Sequence, residues 1–153
     1  MSTVASEQTL EETLSKVEMA LLSPVVSGEL KSWIANVQQA GATFAVDWTG
    51  YLNTLLHVQY AEIGENDPEL LPVVQKMIET ERRLLEDLAR FHERLHELAK
   101  RAADVKWQES KLAAEQQKVA DAGLALILEV KKQRAAAATW LAEAVYRDRG
   151  SVD

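Results

Sequence analysis

The sequence predicts an all-α protein, a four-helix bundle in up-down order with one short N-terminal helix and three long ones. Three observations lead there. The chain of 153 residues has only three prolines and six glycines, the residue types that interrupt helices, and is rich in Ala, Leu, Glu, Lys, Arg and Gln, which favour them. Apolar residues return every three or four positions over long stretches, the spacing of one face of an α-helix. Turn chemistry is confined to a few places, chiefly Ser23-Pro24 and Gly64 to Pro68, and these divide the chain into rods.

The first helix opens at Ser6, with Thr9 three residues on, and carries Leu10, Leu14, Val17, Met19, Leu21 and Leu22. Ser23-Pro24 stops it, because proline disfavours the helical region for the residue before it. Ser27 is the expected N-cap of the second helix, with Glu29 in the first turn where a negative charge suits the macrodipole. That helix runs towards Ile63 through Leu30, Trp33, Ile34, Val37, Phe44, Trp48, Leu52, Leu55, Leu56 and Val58. Gly41 and Gly50 each cost it about 1 kcal/mol against alanine, so a kink or a close helix contact is expected there.

Gly64-Glu65-Asn66-Asp67-Pro68 is the clearest reversal: a glycine stop, Asp67 as N-cap, Pro68 at the first helical position. The third helix, Pro68 to about Lys106, has the strongest stripe: Leu70, Val74, Met77, Leu84, Leu88, Phe91, Leu95, Leu98, Ala102 and Val105. A turn between Asp104 and Ser110 is expected although it holds no Gly or Pro, since about seventy unbroken helical residues would not bury their stripe alone. The last helix spans about Gln108 to Arg147, with Leu112, Val119, Leu126, Val130, Trp140 and Leu141 on its seam, and the tail from Asp148 ends it.

The length suits one domain, residues 1–153, able to bury a core without staples. There is no cysteine, hence no disulfide, thiolate metal site or cysteine nucleophile. A net charge of -7 without clustered basic residues argues against nucleic-acid and membrane-surface binding. No basic leader segment opens the chain, and no apolar run approaches the roughly 18 residues of a membrane span, so a cytoplasmic protein is expected.

Glu81 is the informative residue. It falls between Met77 and Leu84 on the third helix's stripe, where a carboxylate is costly unless something pairs with it. Counted from the reversal near residue 66, Glu81 is level with about Tyr51, within two turns of His57. Counted from the turn near residue 107, it is level with Gln133 on the last helix. His57, Glu81 and Gln133 are therefore expected to form a polar layer inside the bundle, with Tyr60 and Glu62 near its rim. His92 and His96, four apart as in helical metal sites, are flanked by Glu93, Arg94 and Glu97 and read as a solvated or flanking face. They lie roughly 25 Å along the axis from His57 at 1.5 Å per residue, too far to share an ion.

Ser23-Pro24, Trp33, His57 followed by Glu62, the helix from Pro72 to Leu85, and the ending Leu141-Ala142-Glu143-Ala144-Val145-Tyr146-Arg147-Asp148-Arg149-Gly150 together resemble hemerythrin-like domains, in particular small bacterial cation-binding bundles. The resemblance covers most of the chain, and its most specific part is the C-terminal signature. It implies a bundle that holds iron, often two ions, between His and carboxylate ligands, and that binds oxygen or senses oxygen or iron. Carried over by position, the helix-two histidine is similar to His57 and the helix-three histidine falls on Glu81, while the last-helix His and Glu fall on Gln133 and Ala137. An amide and a methyl replace two ligands, and Glu62 stands about 140° from the face it would need to share with His57. A two-iron centre takes about five or more such ligands.

The expected function is accordingly a non-catalytic hemerythrin-like bundle with a degenerate metal site, a structural or interaction module without cofactor. The alternative is an iron- or cation-binding or oxygen-sensing protein with a reduced ligand set, metal on His57 and Glu81. No nucleophile motif or phosphate loop suggests an enzyme. Trp33, Trp48, Trp107 and Trp140 could line a ligand pocket but at helical spacing read rather as core, except that Trp107 lies near a turn and, if exposed, marks a partner surface. A short first helix would also leave part of the bundle for a second copy, or another protein, to cover.

Overall fold

The computed structural model describes residues 6–104 and 106–150, the last four as backbone. Val105 of the predicted stripe and the tail Ser151–Asp153 lie outside the described residues. Among those described, all regular structure is helical: α1 (Glu7–Leu22), α2 (Leu30–Tyr51), a π-helical turn (Leu52–Leu56), α3 (His57–Asn66), a 3-10 turn (Pro68–Leu70), α4 (Leu71–Ala103) and α5 (Glu109–Gly150). Because α2, the π turn and α3 follow without a break, the described residues make four rods. α1 packs on α2 and α5, and α4 packs on α2, α3 and α5.

Local chemistry explains the first rod. Ser6 accepts from the Thr9 amide at 3.1 Å, satisfying one of the free N–H groups of the first turn. Leu10, Leu14, Val17 and Leu21 are buried, with Thr13 among them, whereas Met19 and Leu22 of the expected stripe face outward. At the other end Ser23 caps, its hydroxyl donating to the Met19 carbonyl at 2.8 Å before Pro24 ends the helix.

The second rod differs from expectation at its start. Ser27 is not the cap; it sits in a turn closed by the Glu29 amide on the Val26 carbonyl at 2.9 Å. Gly28 takes φ +86, a conformation that suits a residue without Cβ. The cap comes from the far end of the chain: Glu109, in the first turn of α5, accepts from the Gly28 amide at 2.7 Å and the Leu30 amide at 3.1 Å. Gly41 does not break α2. Its lack of a side chain admits His92, whose Nε2 lies 2.6 Å from where a Cβ would be, so the close contact expected there is with α4.

The irregular turn falls just after Gly50. Phe44, Trp48, Leu52, Leu56 and Tyr60 are all buried at four-residue steps, and on a straight α-helix each such step drifts about 40° around the axis. The i→i+5 bond from the His57 amide to the Leu52 carbonyl lengthens the local repeat and absorbs that drift. Tyr60 thereby stays on the inner face, while Leu55 and Val58, expected on the stripe, are exposed.

Gly64 is not a stop: the helix continues to Asn66, and the reversal is the 3-10 turn at Pro68–Leu70. α4 buries Val74, Glu81, Leu84, Leu88, Phe91, Leu95 and Leu98, so the predicted stripe holds with its charged member inside. It ends at Ala103, short of Lys106. Asp104 makes the following turn without glycine or proline, its carboxylate accepting from the Lys106 amide at 3.0 Å and its carbonyl from the Trp107 amide at 3.0 Å. On α5 the inner face is smaller than expected: Val119, Ala120, Ile127, Val130, Ala137 and Ala144 are buried while Leu126 is half-buried. Gly123 lets Leu21 and Phe91 approach to within 2.8 Å of its missing Cβ.

Candidate functional site

Three side chains meet at the inner face of α4. Glu81 is 1% exposed. Tyr60, fully buried, donates its hydroxyl to Glu81 Oε2 at 3.1 Å, and His57 Nε2 stands 3.5 Å from Glu81 Oε1. The level count placed Glu81 opposite Tyr51; the structure sets it against His57 and Tyr60 instead. Side chains lean towards the N-terminus of their own helix, so Tyr60 reaches away from the reversal and Glu81 towards it, and the two meet between their backbone levels. His57 and Tyr60 also stack, with ring centroids 5.9 Å apart, and Trp140 packs edge-on against Tyr60 at 5.8 Å.

Gln133 reaches the same place from α5. Its Nε2 lies 3.8 Å from Met77 Sδ, and it shares a cavity wall with Glu81. Glu62 does not join the layer. It is exposed and borders a shallower groove with Leu55, Gln59 and Tyr146. Tyr60, expected at the rim, is the residue underestimated from the sequence, and the run of four-residue apolar steps ending on it was the available signal.

The electrostatics follow from burial. Removal from water pushes the Glu81 carboxyl up to about 7, against the opposing pull of the Tyr60 hydroxyl and the Gln133 amide. Burial, and then the charge of Arg82, push His57 below its ordinary value, keeping the imidazole neutral. Burial also raises Tyr60 well above the ordinary phenol range, with the Glu81 charge second. Neither His57 Nε2 nor Glu81 Oε1 has a hydrogen-bond partner, so the layer holds two open polar atoms facing each other.

A cavity of about 440 Å³ opens beside this layer between α1, α2 and α5, and Glu81 reaches it from α4. Trp48, Leu56, Leu14, Ala137 and Leu141 give it apolar walls; Tyr51, Glu7, Glu11, Lys131 and Arg134 give it polar ones. The small side chains Ala135, Ala137 and Ala138 on α5 make the room.

The other histidines are elsewhere. His92 takes the flanking alternative: it is half-buried against Gly41, its Nδ1 bonded to the Leu88 carbonyl at 3.1 Å and its Nε2 without a partner. His96 is exposed. Of the tryptophans, Trp33 and Trp48 are core, Trp140 is half-buried, and Trp107 is 44% exposed with the Arg101 guanidinium 5.5 Å above its ring.

The donor set does not fit a two-iron centre. His57 and Glu81 are the ion-type donors that meet; Gln133 offers an amide and Ala137 a buried methyl. Among the described residues no group of three or more His, Cys, Asp or Glu side chains is arranged to hold an ion, and no helix is long and apolar enough to cross a membrane. Set against family models, curated proteins and solved structures, the chain matches none of them.

Proposed function

We propose that the chain is a non-catalytic, hemerythrin-like four-helix bundle in up-down order, with a degenerate metal layer, acting as a cytoplasmic structural or interaction module. The observation that carries this reading is the composition of the inner layer. A carboxyl, an imidazole and a phenol meet where a two-iron bundle would gather about six His and carboxylate ligands. The bundle order draws support from residue pairs that run in opposite senses: Gly41 with His92 and Tyr60 with Glu81 between the second rod and α4, then Phe91 with Gly123 and Met77 with Gln133 between α4 and α5. The absence of a nucleophile motif or phosphate loop in the sequence supports a role without catalysis. Exposed Trp107 offers a partner an aromatic surface, and light scattering tests whether that partner is a second copy.

One observation favours a second reading, an iron- or cation-binding or oxygen-sensing bundle with a reduced ligand set. His57 Nε2 and Glu81 Oε1 face each other 3.5 Å apart and unpartnered, and one ion with water completing its sphere would satisfy both. Emission spectrometry on the purified protein, with an absorption scan after anaerobic reconstitution with iron(II), separates the two readings. Stoichiometric iron overturns the first; no iron retained after reconstitution overturns the second.

A further inference from the structure

We propose that the cavity between α1, α2 and α5 is a binding site for a small amphipathic amine, its ammonium on Glu81 and its apolar body along α5. The cavity volume of about 440 Å³ is in the range of small-molecule sites, roughly 300–1,000 Å³. Its chemistry is lopsided. Three carboxylates, Glu7, Glu11 and Glu81, line it against two cations, Lys131 and Arg134. Lys131 is ion-paired with Glu18, and Arg134 is held by one bond to the Glu7 carbonyl at 3.3 Å. Glu7 in turn accepts from the Tyr51 hydroxyl at 3.0 Å. Glu81 is left as the buried carboxyl of the lining, its Oε2 accepting from Tyr60 and its Oε1, opposite His57, without a donor.

A buried acceptor oxygen without a donor is complemented by a ligand that brings N–H donors and positive charge. A primary amine does both, whereas an anion would meet two mouth carboxylates and a third inside. The body of the ligand is specified by the walls. Leu14, Trp48, Leu56 and Ala137 surround the inner end. Through Glu7, Tyr51, Ala138 and Leu141 the cavity adjoins a more apolar groove of about 860 Å³ that runs out past Leu55, Val145 and Tyr146, with Glu62 on its wall. An ammonium at Glu81 and an aryl or alkyl tail along the apolar walls and the adjoining groove fit this lining.

Calorimetric titration of the full chain with 2-phenylethylamine and octylamine, against 2-phenylethanol and octanol as uncharged counterparts, tests the assignment. Both amines are expected to bind one per chain and more tightly than their alcohols. Glu81→Gln should weaken the amines about tenfold or more while leaving the alcohols unchanged. Ala138→Phe, on the wall away from Glu81, should weaken amine and alcohol alike by filling the cavity, with circular dichroism confirming that both variants fold. If neither amine binds the unmodified chain, if amines and alcohols bind equally, or if Glu81→Gln binds amines as before, there is no such site. Should Glu81→Gln fail to fold, amine binding unaffected by Ala138→Phe is sufficient to reject it.

Discussion

His57 Nε2 and Glu81 Oε1 face each other across 3.5 Å with no hydrogen bond at either atom. Two open polar atoms inside a helical core are a stability cost, and the cost depends on pH. The Glu81 carboxyl is held at about 7 in the fold against 4.5 in the unfolded chain, so between those values the folded state carries a proton that the unfolded state has released. Stability attributable to Glu81 is therefore full below pH 4.5 and lost as pH rises to about 7, by about 3 kcal/mol. His57 and His92 act in the other direction: both are held neutral by burial, so the unfolded chain binds protons first and stability falls as pH drops below 6.5. Denaturant unfolding of the unmodified chain and of Glu81→Gln from pH 4 to 8 isolates the carboxyl. The difference between them should grow with pH over that window; a constant difference would mean that Glu81 does not titrate there.

Glu81→Leu should leave the protein folded and raise its stability at pH 8 by about 1–3 kcal/mol. Burying leucine and removing the ionised carboxyl outweigh the Tyr60 hydroxyl left without its acceptor. At pH 4, where Glu81 is protonated, the gain should shrink towards zero. A lower melting temperature at pH 8 would show that something in solution pairs with the carboxylate.

Tyr60→Phe separates the two influences on that carboxyl. The phenol donates to Oε2 at 3.1 Å and so favours the charged form against burial. Without it the Glu81 midpoint, followed by carbon NMR of the side-chain carboxyl, should move further up. A midpoint that stays or falls would mean that the hydroxyl does not donate to Glu81.

Helix type and rod number were legible because they depend on local periodicity, and Glu81 was legible as a break in that periodicity. Levels were less so. Counting residues from a turn ignores the lean of side chains towards their helix N-termini, which is why Glu81 meets Tyr60 and not Tyr51. The π turn at Leu52–Leu56 was visible only as apolar residues at successive four-residue steps, and Leu55 and Val58 were assigned to the wrong face as a result. His92 reads as solvated or flanking because its sequence neighbours are charged, and the choice between the two is made by Gly41 on another helix, which forms its socket. The cavity had a trace in the alanine run at 135–138, since small side chains on a seam leave space.

Gly41 and Gly50 of the second rod should respond oppositely to alanine. At Gly50 an added Cβ meets nothing within 4 Å, so Gly50→Ala should stabilise by up to about 1 kcal/mol through helix propensity. At Gly41 the Cβ would lie 2.6 Å from His92 Nε2, on a ring anchored through Nδ1 to the Leu88 carbonyl. Gly41→Ala should then destabilise by about 1–3 kcal/mol, and adding His92→Ala should recover part of the loss. Equal effects at the two positions in thermal unfolding would count against the close packing of α2 on α4.

The cap of α2 is the sharpest disagreement between local sequence and tertiary structure. Ser27 has the chemistry of an N-cap, but the amides of Gly28 and Leu30 are taken by Glu109, 81 and 79 residues away. Its carboxylate also lies in the first turn of α5, so one negative charge serves the positive ends of two helices and ties them together. Glu109→Ala should cost about 1–2 kcal/mol in denaturant unfolding, and Glu109→Gln, which keeps one acceptor oxygen but no charge, should cost less. Ser27→Ala should be nearly silent. Hydrogen exchange adds a local readout: the Leu30 amide should lose protection in Glu109→Ala and keep it in Ser27→Ala. The opposite ranking would return the cap to Ser27 and remove this link between α2 and α5.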